Sequence, residues 1–340
     1  MSTALQGATE PIRLTEWTSC GGCAAKWGAA PLAELVRELG LGDAAGDELL
    51  VGLAPFDDAA VLRLTDDLAL VSTTDFFPPL VDDPADFGAI AAANACSDVF
   101  AMGGRVVLAL NIAAFPERLP PAAAAAILAA ASETVRAAGG VIAGGHTIRS
   151  EEPIFGLAVQ GLVDPGRVWT KSGAVPGDVL VLSKPIGSGI VLAGGTDADK
   201  AEAIATMRTL NRAAAEALDA PHAVTDVTGF GLFGHGWEMA ERSGASLVFT
   251  ADTLPLYAGA LEAADAGTRT GGDARNRTHL SAHVTVDARI NPALEALCYD
   301  PQTSGGLLAA VTSAEAARLE SAGYAPVGRV EPGPPSIQLV

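Results

Sequence analysis

The 340-residue chain is 49% hydrophobic and 18% charged, so it can fill two packed domains and carries too few charges for extended disorder. Its formal net charge of −19 would repel phosphate backbones and anionic membranes, which argues against direct nucleic-acid or membrane partners. A nucleotide remains compatible with this charge when divalent cations lie between carboxylates and phosphates. No basic region followed by an apolar run opens the sequence, which predicts a cytoplasmic protein.

The first distinctive stretch is Cys20-Gly-Gly-Cys23, followed by Lys26. A zinc half-site would lack its second pair, because Cys96 and Cys298 are isolated in the sequence. A redox pair should open a helix after a strand, and the residues before Cys20 provide this only weakly. A single nucleophile, Cys23, with its thiolate favoured by Lys26, is the third interpretation. A disordered leader that carries two cysteines stays open as well.

The first half of the chain alternates strands and helices, which predicts an α+β or mixed α/β fold. Apolar residues recur at spacings of three and four in the helices predicted over 31–39, 85–102 and 121–138. Strands are predicted at 49–51, 59–62, 68–74, 106–113, 141–143 and 154–163. The strand at 141–143 is expected to run into a glycine-rich turn over 144–147.

Turn-forming runs at 164–166 and 175–178 predict a domain boundary. We therefore divide the chain into a flexible glycine-rich catalytic arm (1–30), an N-terminal domain (31–165) and a C-terminal domain (166–340). In the second half we predict strands at 179–182, 247–249 and 307–311 and helices at 200–218, 231–242 and 313–321.

Four aspartates stand at predicted ends of strands or on a predicted helix, namely Asp58, Asp75, Asp98 and Asp226. Mg²⁺ prefers such hard oxygen ligands and lets substrate phosphates complete its octahedron. A single aspartate at a strand end is more often a cap or a solvated turn. Asn94 lies one helical turn before Asp98, so both side chains project from the same face and can address one point.

The sequence Gly144-Gly145-His146 offers a second candidate feature. The glycines would let backbone N–H groups approach a phosphate at a strand-to-loop turn. His146 is a ligand, a general base or a structural residue on this information alone. No glycine-rich loop with lysine, dinucleotide fingerprint or serine-hydrolase elbow occurs in the sequence.

Eight segments in order resemble the selenophosphate synthetases (selenide, water dikinases), relatives of aminoimidazole ribonucleotide synthetase and thiamine-monophosphate kinase. The arm segment carries Cys23 and Lys26 after the lead-in Arg13-Leu-Thr. The other segments are 57–61, 72–77, 94–104, 143–147, 153–161, 225–234 and 300–308. Together they cover nearly the whole chain.

The resemblance implies two α/β domains in the aminoimidazole ribonucleotide synthetase-like fold and a homodimer formed through the N-terminal mixed sheets. ATP would lie between the subunits' N-terminal strands, with the arm closing over it. The implied reaction converts ATP, selenide and water into selenophosphate, AMP and orthophosphate, and selenophosphate then serves selenocysteine and selenouridine synthesis. Mg²⁺ is the implied cofactor, and a selenium-delivery protein is a partner that the resemblance leaves room for.

The resemblance also implies roles for individual residues. Cys23 and Lys26 take the catalytic positions, and Asp58, Asp98 and Asp226 take the magnesium positions. The nucleotide and phosphate positions fall on Lys26, Asp75, Asn94, Asp98, Gly144, Gly145, His146 and Thr147.

The arm departs from the family pattern at two positions. Ala25 stands where the second family cysteine is common, and Cys20 is an additional cysteine upstream. A mechanism that uses a pair of cysteines is therefore in doubt. Two other interpretations stay open: an enzyme of the same fold with another phosphate acceptor, which would release ADP, and a cysteine-bearing selenium or metal carrier without turnover.

Overall fold

The structure is a computed structural model that describes residues 12–25, 46–53 and 56–340. The helix predicted over 31–39 lies outside the described residues, as do Lys26 and the side chain of Cys23. Two β-sheets organise the rest, the first built from residues within 49–163 and the second from residues within 179–339. The predicted boundary at 165/166 and the flexibility of the arm stay predictions.

The first sheet has the strand order β1-β2-β3-β6-β4-β5 in the described part of the chain. Its strands are β1 (Leu49–Val51), β2 (Ala60–Thr65), β3 (Leu68–Phe77), β4 (Arg105–Phe115), β5 (Val141–Arg149) and β6 (Ile154–Val163). The pairing of β4 with β5 is parallel and the other pairings are antiparallel, so the sheet is mixed as predicted.

Two helices cover one face of this sheet, α1 (Pro84–Ala101) and α2 (Pro121–Ala137). The Asp83 carboxylate caps α1 by accepting the backbone N–H groups of Ala85 and Asp86, which would otherwise lack partners. Nearly all of α1 is buried because the helix lies between the sheet and α2. The polar side chains on α1 therefore have fixed neighbours.

The other face of the first sheet is open in the described part of the chain. It carries several large apolar side chains that are between 38% and 56% exposed: Leu62, Leu64, Phe76, Leu110 and Ile148. Strand β5 forms the edge of the sheet, and eight of its nine residues are exposed. An apolar face of this kind usually marks an interaction surface.

The second sheet has the order β10-β13-β9-β12-β7-β11-β8 among the described residues. Its strands are β7 (Val179–Leu182), β8 (Ala223–Asp226), β9 (Ser246–Phe249), β10 (Val284–Val286), β11 (Leu307–Val311), β12 (Ala325–Glu331) and β13 (Ser336–Leu339). The helices of this half are α3 (Ser188–Gly194), α4 (Asp197–Met207), α5 (Arg212–Ala217), α6 (Gly231–Ser243), α7 (Ala260–Asp265), α8 (Asp273–Leu280), α9 (Pro292–Tyr299) and α10 (Ser313–Glu320). The described fold is thus α+β, as predicted.

The prediction of one helix over 200–218 is wrong, because the structure has α4 and α5 with a break between them. At the break the Thr209 carbonyl accepts a hydrogen bond from Lys184 Nζ. The Asn211 side-chain amide donates to Ser97 Oγ and to the Gly305 carbonyl. These tertiary hydrogen bonds replace helical ones, which the alanine-rich pattern does not reveal.

The predicted turn over 144–147 is also wrong, because β5 continues through both glycines to Arg149. Pairing with β4 sets this outcome, with Gly145 opposite Asn111 and His146 opposite Ile112. The register shifts between Ile142 and Gly145, but sheet pairing on both sides of this irregularity supplies hydrogen bonds that outweigh the local preference of glycine for turns. None of the helices in the described ranges is both long and apolar enough to cross a membrane.

The contact between α1 and α2 gives a test of the packing. A Cβ atom added at Gly88 would overlap the Ile127 carbonyl oxygen. We expect Gly88→Ala to lower the free energy of unfolding by about 1–3 kcal/mol through overpacking, measured by urea denaturation. Gly271→Ala, where a Cβ meets no atom within 4 Å, should change it by less than about 0.5 kcal/mol. Equal effects would contradict the close approach of the helices.

Candidate active site

The described part of the arm lies against the chain that connects β3 to α1. Leu14 is fully buried, and the Gly22 N–H donates to the Pro78 carbonyl oxygen at 2.9 Å. Gly22 has φ +61°, and a Cβ atom there would lie 2.7 Å from Thr303 Oγ1. The glycine before Cys23 is therefore required for the arm to approach the second half of the molecule this closely.

A cavity of about 280 Å³ opens between the arm and the second half of the chain. Cys20, Ser188, Thr270 and Thr303 are among its lining residues. Gly22 contacts Thr303 directly, so the backbone at Cys23 enters this region from the arm. The structure thus brings the arm to the boundary between the two sheets.

Asn94 connects the two halves at the same boundary. Its side-chain amide donates to Asp75 on β3, and its side-chain oxygen accepts the Ser304 N–H at 2.8 Å. Asn94 is fully buried. Two predicted nucleotide-binding residues, Asp75 and Asn94, are thereby in direct contact beside the loop that contains Thr303 and Ser304.

Lys184 also contacts the loop that contains Thr303 and Ser304. Its ammonium group donates to the carbonyls of Thr209 at 2.6 Å and Ser304 at 2.9 Å. Burial lowers the pKa of Lys184 to about 7, although the nearby Asp226 carboxylate acts in the opposite direction. A lysine held this tightly fixes the loop backbone next to Asn94.

Asp98, one helical turn after Asn94 on α1, also contacts β3 through its side chain. The Thr73 hydroxyl donates to the Asp98 carboxylate, two residues before Asp75 on the same strand. Four residues along α1 and two residues along β3 each span about 6 Å. The contact between Asn94 and Asp75 and the contact between Asp98 and Thr73 therefore lie side by side between the helix and the strand. Asn94 and Asp98 therefore contact different residues of β3, and the Asp98 carboxylate accepts a hydrogen bond from a hydroxyl group.

Asp58 is held in a buried group of charges. Asp58 Oδ1 lies 2.8 Å from Lys171 Nζ and accepts the Thr225 hydroxyl at 3.0 Å. Lys171 Nζ also lies 2.9 Å from Glu238 Oε2. Thr225 directly precedes Asp226 on β8, so the backbone of a second predicted magnesium residue follows a residue that contacts Asp58.

The pKa values reflect this crowding of charge. Burial and the adjacent Asp58 carboxylate raise the pKa of Asp57 to about 6. Burial alone would lower the pKa of Lys171, but the carboxylates of Asp58, Glu238 and Asp57 raise it above its usual range. Burial alone would raise the pKa of Glu238, but Lys171 and His235 lower it below its usual range. Lys171 is therefore a permanent cation among carboxylates.

The fit to Mg²⁺ can be tested on these residues. In the described ranges no three His, Cys, Asp or Glu side chains form a group that could hold a metal ion. Asp58 Oδ2, however, is buried and has no hydrogen-bond partner among the described atoms. Asp58 and Thr73 line one cavity of about 970 Å³. Since Mg²⁺ is usually held by one or two carboxylates together with waters and substrate phosphates, these donors fit a metal that arrives with a nucleotide.

The predicted phosphate residues Gly144, Gly145, His146 and Thr147 lie elsewhere, on β5. Three strand spacings separate β5 from β3, which is about 14 Å at about 4.8 Å for each spacing. One phosphate group therefore cannot contact both Asp75 and β5 within a single chain. These four residues are exposed along the edge strand.

Lys171, Glu238 and Lys184 are not among the site residues predicted from the sequence. One signal was present: of the 21 basic residues only four are lysines, at positions 26, 171, 184 and 200. In an arginine-rich chain, a lysine marks a position where a compact ammonium fits and a planar guanidinium does not. Two of the four are buried ion or hydrogen-bond centres in this structure.

Two family models match the chain, and they cover most of it. The model of the AIR synthase related protein, N-terminal domain, matches residues 56–163, and that of the C-terminal domain matches residues 175–339. A solved structure of thiamine monophosphate kinase from Aquifex aeolicus is similar with a TM-score of 0.66 and 19% identity, over 91% of this chain and 96% of that one. Fold and site thus define a two-domain protein of the AIR synthase related class.

Relatives with higher sequence identity show which family within this class the chain belongs to. The chain is 44% identical to a selenide, water dikinase of Myxococcus xanthus, over 96% of this chain and 97% of the relative. It is also 44% identical to a selenide, water dikinase of Caldanaerobacter subterraneus subsp. tengcongensis, over 91% of each. The chain belongs to the selenide, water dikinase family, as the ordered motifs predicted.

Asp300 gives a prediction about pH. Burial raises the pKa of its carboxyl to about 7, although the Ile190 N–H and the Thr270 hydroxyl donate to it. The folded state therefore binds a proton that the unfolded state releases near pH 4, and this stabilisation is complete below about pH 4 and lost as the pH rises to about 7. We expect the stability of the wild type relative to Asp300→Asn to fall over that range.

Urea denaturation between pH 4 and pH 8 measures this difference. Asp252→Asn, at an exposed position, is the matched control and should follow the wild-type profile. A difference between wild type and Asp300→Asn that stays constant with pH would contradict the raised pKa.

Proposed function

We propose that this protein catalyses the ATP-dependent synthesis of selenophosphate from selenide and water, releasing AMP and orthophosphate, for selenocysteine and selenouridine synthesis. The observation that carries the proposal is the similarity to selenide, water dikinases over nearly the full length of both chains. A cytoplasmic location and a selenium-delivery protein as a further partner belong to the same proposal.

Asp58, Asp98 and Asp226 would hold Mg²⁺ together with the phosphates of ATP. Bound Mg²⁺ would neutralise the phosphate oxygens, which is the main electrostatic requirement of phosphoryl transfer. The buried position of Asp58, with one oxygen already occupied by Lys171 and Thr225, supports a fixed ligand. Asp75 and Asn94, in contact beside the 303–304 loop, would orient the nucleotide.

The arm would supply the reactive groups. Cys23 would guide the selenium species as a soft thiolate, and Lys26 would add a positive charge near the phosphates. The contact between Gly22 and Thr303 supports this, because it places the residue before Cys23 next to the loop that Asn94 holds. A docked arm would also exclude bulk water from competition with selenide.

A homodimer completes the proposal. The open apolar face of the first sheet and the exposed edge strand β5 support an interface there. Gly144 to Thr147 are too far from β3 to meet the same phosphate within one chain, so a second copy is a natural source of those contacts. ATP held between the first sheets of two subunits would account for both the exposed apolar face and the distance of Gly144 to Thr147 from β3.

The activity is tested with the purified protein, ATP, Mg²⁺ and selenide. We expect AMP, orthophosphate and a selenium-bonded phosphate, the last identified by ³¹P NMR. AMP formation that is independent of selenide would contradict the proposal. ADP as the product would indicate another phosphate acceptor, and selenium binding without nucleotide turnover would indicate a carrier.

The arm is tested by substitution. We expect Cys23→Ser and Lys26→Ala to reduce selenophosphate formation at least 100-fold, on the order of the loss of a positioned nucleophile or charge, with unchanged thermal unfolding. Cys20→Ser is the matched control and should retain activity within a few-fold. Wild-type rates in Cys23→Ser or Lys26→Ala would remove the arm from the mechanism.

The dimer is tested at its apolar face. Leu110→Asp would place a charge in the middle of the interface, and we expect at least a tenfold weaker dimer in analytical ultracentrifugation, the order expected for one unpaired interfacial charge. Val175→Asp, at another exposed apolar position, should leave the association unchanged. A monomeric wild type at micromolar concentration would contradict the proposed dimer.

A further inference from the structure

Lys171 is buried in the segment between the two sheets, where it meets charges from both halves of the molecule. Its ammonium group contacts Asp58, which precedes β2, and Glu238, which lies on α6. Its backbone N–H donates to Asp57 Oδ2 at 3.0 Å. One residue thus holds both acidic residues of the Asp57-Asp58 pair and joins them to the second half.

Glu238 is itself held in place. His235 Nδ1 lies 3.2 Å from Glu238 Oε2, and His235 Nε2 lies 3.2 Å from the Thr228 hydroxyl. All of these side chains are buried on or just before α6. The chain of contacts from Thr228 to Asp58 therefore has little freedom to rearrange.

The two oxygens of Asp58 have different surroundings. Oδ1 receives both Lys171 Nζ and the Thr225 hydroxyl, whereas Oδ2 is buried without a hydrogen-bond partner among the described atoms. A buried carboxylate oxygen without a partner is costly unless a ligand satisfies it. Metal-binding carboxylates commonly show this division, with one oxygen on the metal and the other on an orienting donor.

The charges also fit a cation. Asp57, Asp58 and Glu238 surround a single lysine, so the group stays acidic after Lys171 is counted. A buried ion pair adds little net stability compared with a packed apolar pair, so stability alone does not explain its presence. An orienting function explains both the fixed geometry and the remaining negative charge.

We propose that Lys171, together with Glu238, is a positioning residue that fixes Asp58 with Oδ2 turned toward the metal and thereby sets the affinity for Mg²⁺. This inference rests on the proposed function only in taking Asp58 as a metal ligand. The affinity of the metal site then depends on the second half of the molecule, because Thr225 contacts Asp58 directly and Glu238 contacts Lys171.

The test measures metal binding directly. Mn²⁺ is the probe, titrated in the presence of the non-hydrolysable analogue AMPPCP and followed by the EPR signal of free Mn²⁺. We expect Lys171→Met to weaken Mn²⁺ binding by 10- to 100-fold, on the order found when the partner of a metal ligand is removed. Lys171→Arg should recover only part of the affinity, because it restores a cation next to Asp58 Oδ1 but places a larger, planar guanidinium in the same buried space. Lys200→Met is the matched control and should bind as the wild type does.

Removal of a buried cation alone can prevent folding, so a second variant is required. Lys171→Met combined with Glu238→Leu removes both charges of one pair and leaves the net charge unchanged. We expect this double variant to fold, as judged by metal-free thermal unfolding, and to show the same loss of Mn²⁺ affinity. Unchanged Mn²⁺ affinity in a folded double variant would overturn the proposal.

Tighter Mn²⁺ binding by Lys171→Met would also overturn it, since Lys171 would then compete with the metal. The binding assay contains no selenide, so its result is independent of the reaction. A wild type that binds Mn²⁺ in a Lys171-dependent manner but makes no selenophosphate would contradict the proposed function alone. A wild type that makes selenophosphate while Lys171→Met binds Mn²⁺ normally would contradict this inference alone.

Discussion

The buried contact between Lys171 and the carboxylates of Asp58 and Glu238 is the constraint on which the rest of the site depends. It lies between the two sheets, so it fixes the position of the first sheet's acidic residues relative to α6 and β8. Charges buried this deeply must satisfy each other, because the surrounding protein solvates them poorly. The geometry of Asp58 is therefore a property of both halves together.

The second connection between the halves is made by neutral groups. Asn94 contacts both Asp75 and the backbone N–H of Ser304. Lys184 donates a hydrogen bond to the carbonyl oxygen of Ser304 in the same loop. The arm reaches the same loop through Gly22 and Thr303. Asn94, Lys184 and the arm are distant in sequence and all contact this one loop. A substitution that moves the loop would therefore change the contacts of all three.

Much of the fold and part of the site could be predicted from local patterns. Apolar spacing gave α1 and α2 nearly to the residue, and the strands of the first sheet followed from runs of Val, Leu and Ala. The break between α4 and α5 and the continuation of β5 through Gly144 and Gly145 could not be predicted. Hydrogen bonds to distant residues decide both, and no local pattern encodes them.

The sequence by itself determined the family, the α+β class and the candidate residues, because motifs keep their order and residue types regardless of how the chain packs. Tertiary structure alone decided that Asn94 contacts Asp75, that Lys171 holds Asp58, and that β5 lies apart from β3. The physical reason is that burial and electrostatic pairing are properties of positions in space. A lysine is an ordinary surface residue in a sequence and becomes an organising charge only when the fold surrounds it with carboxylates.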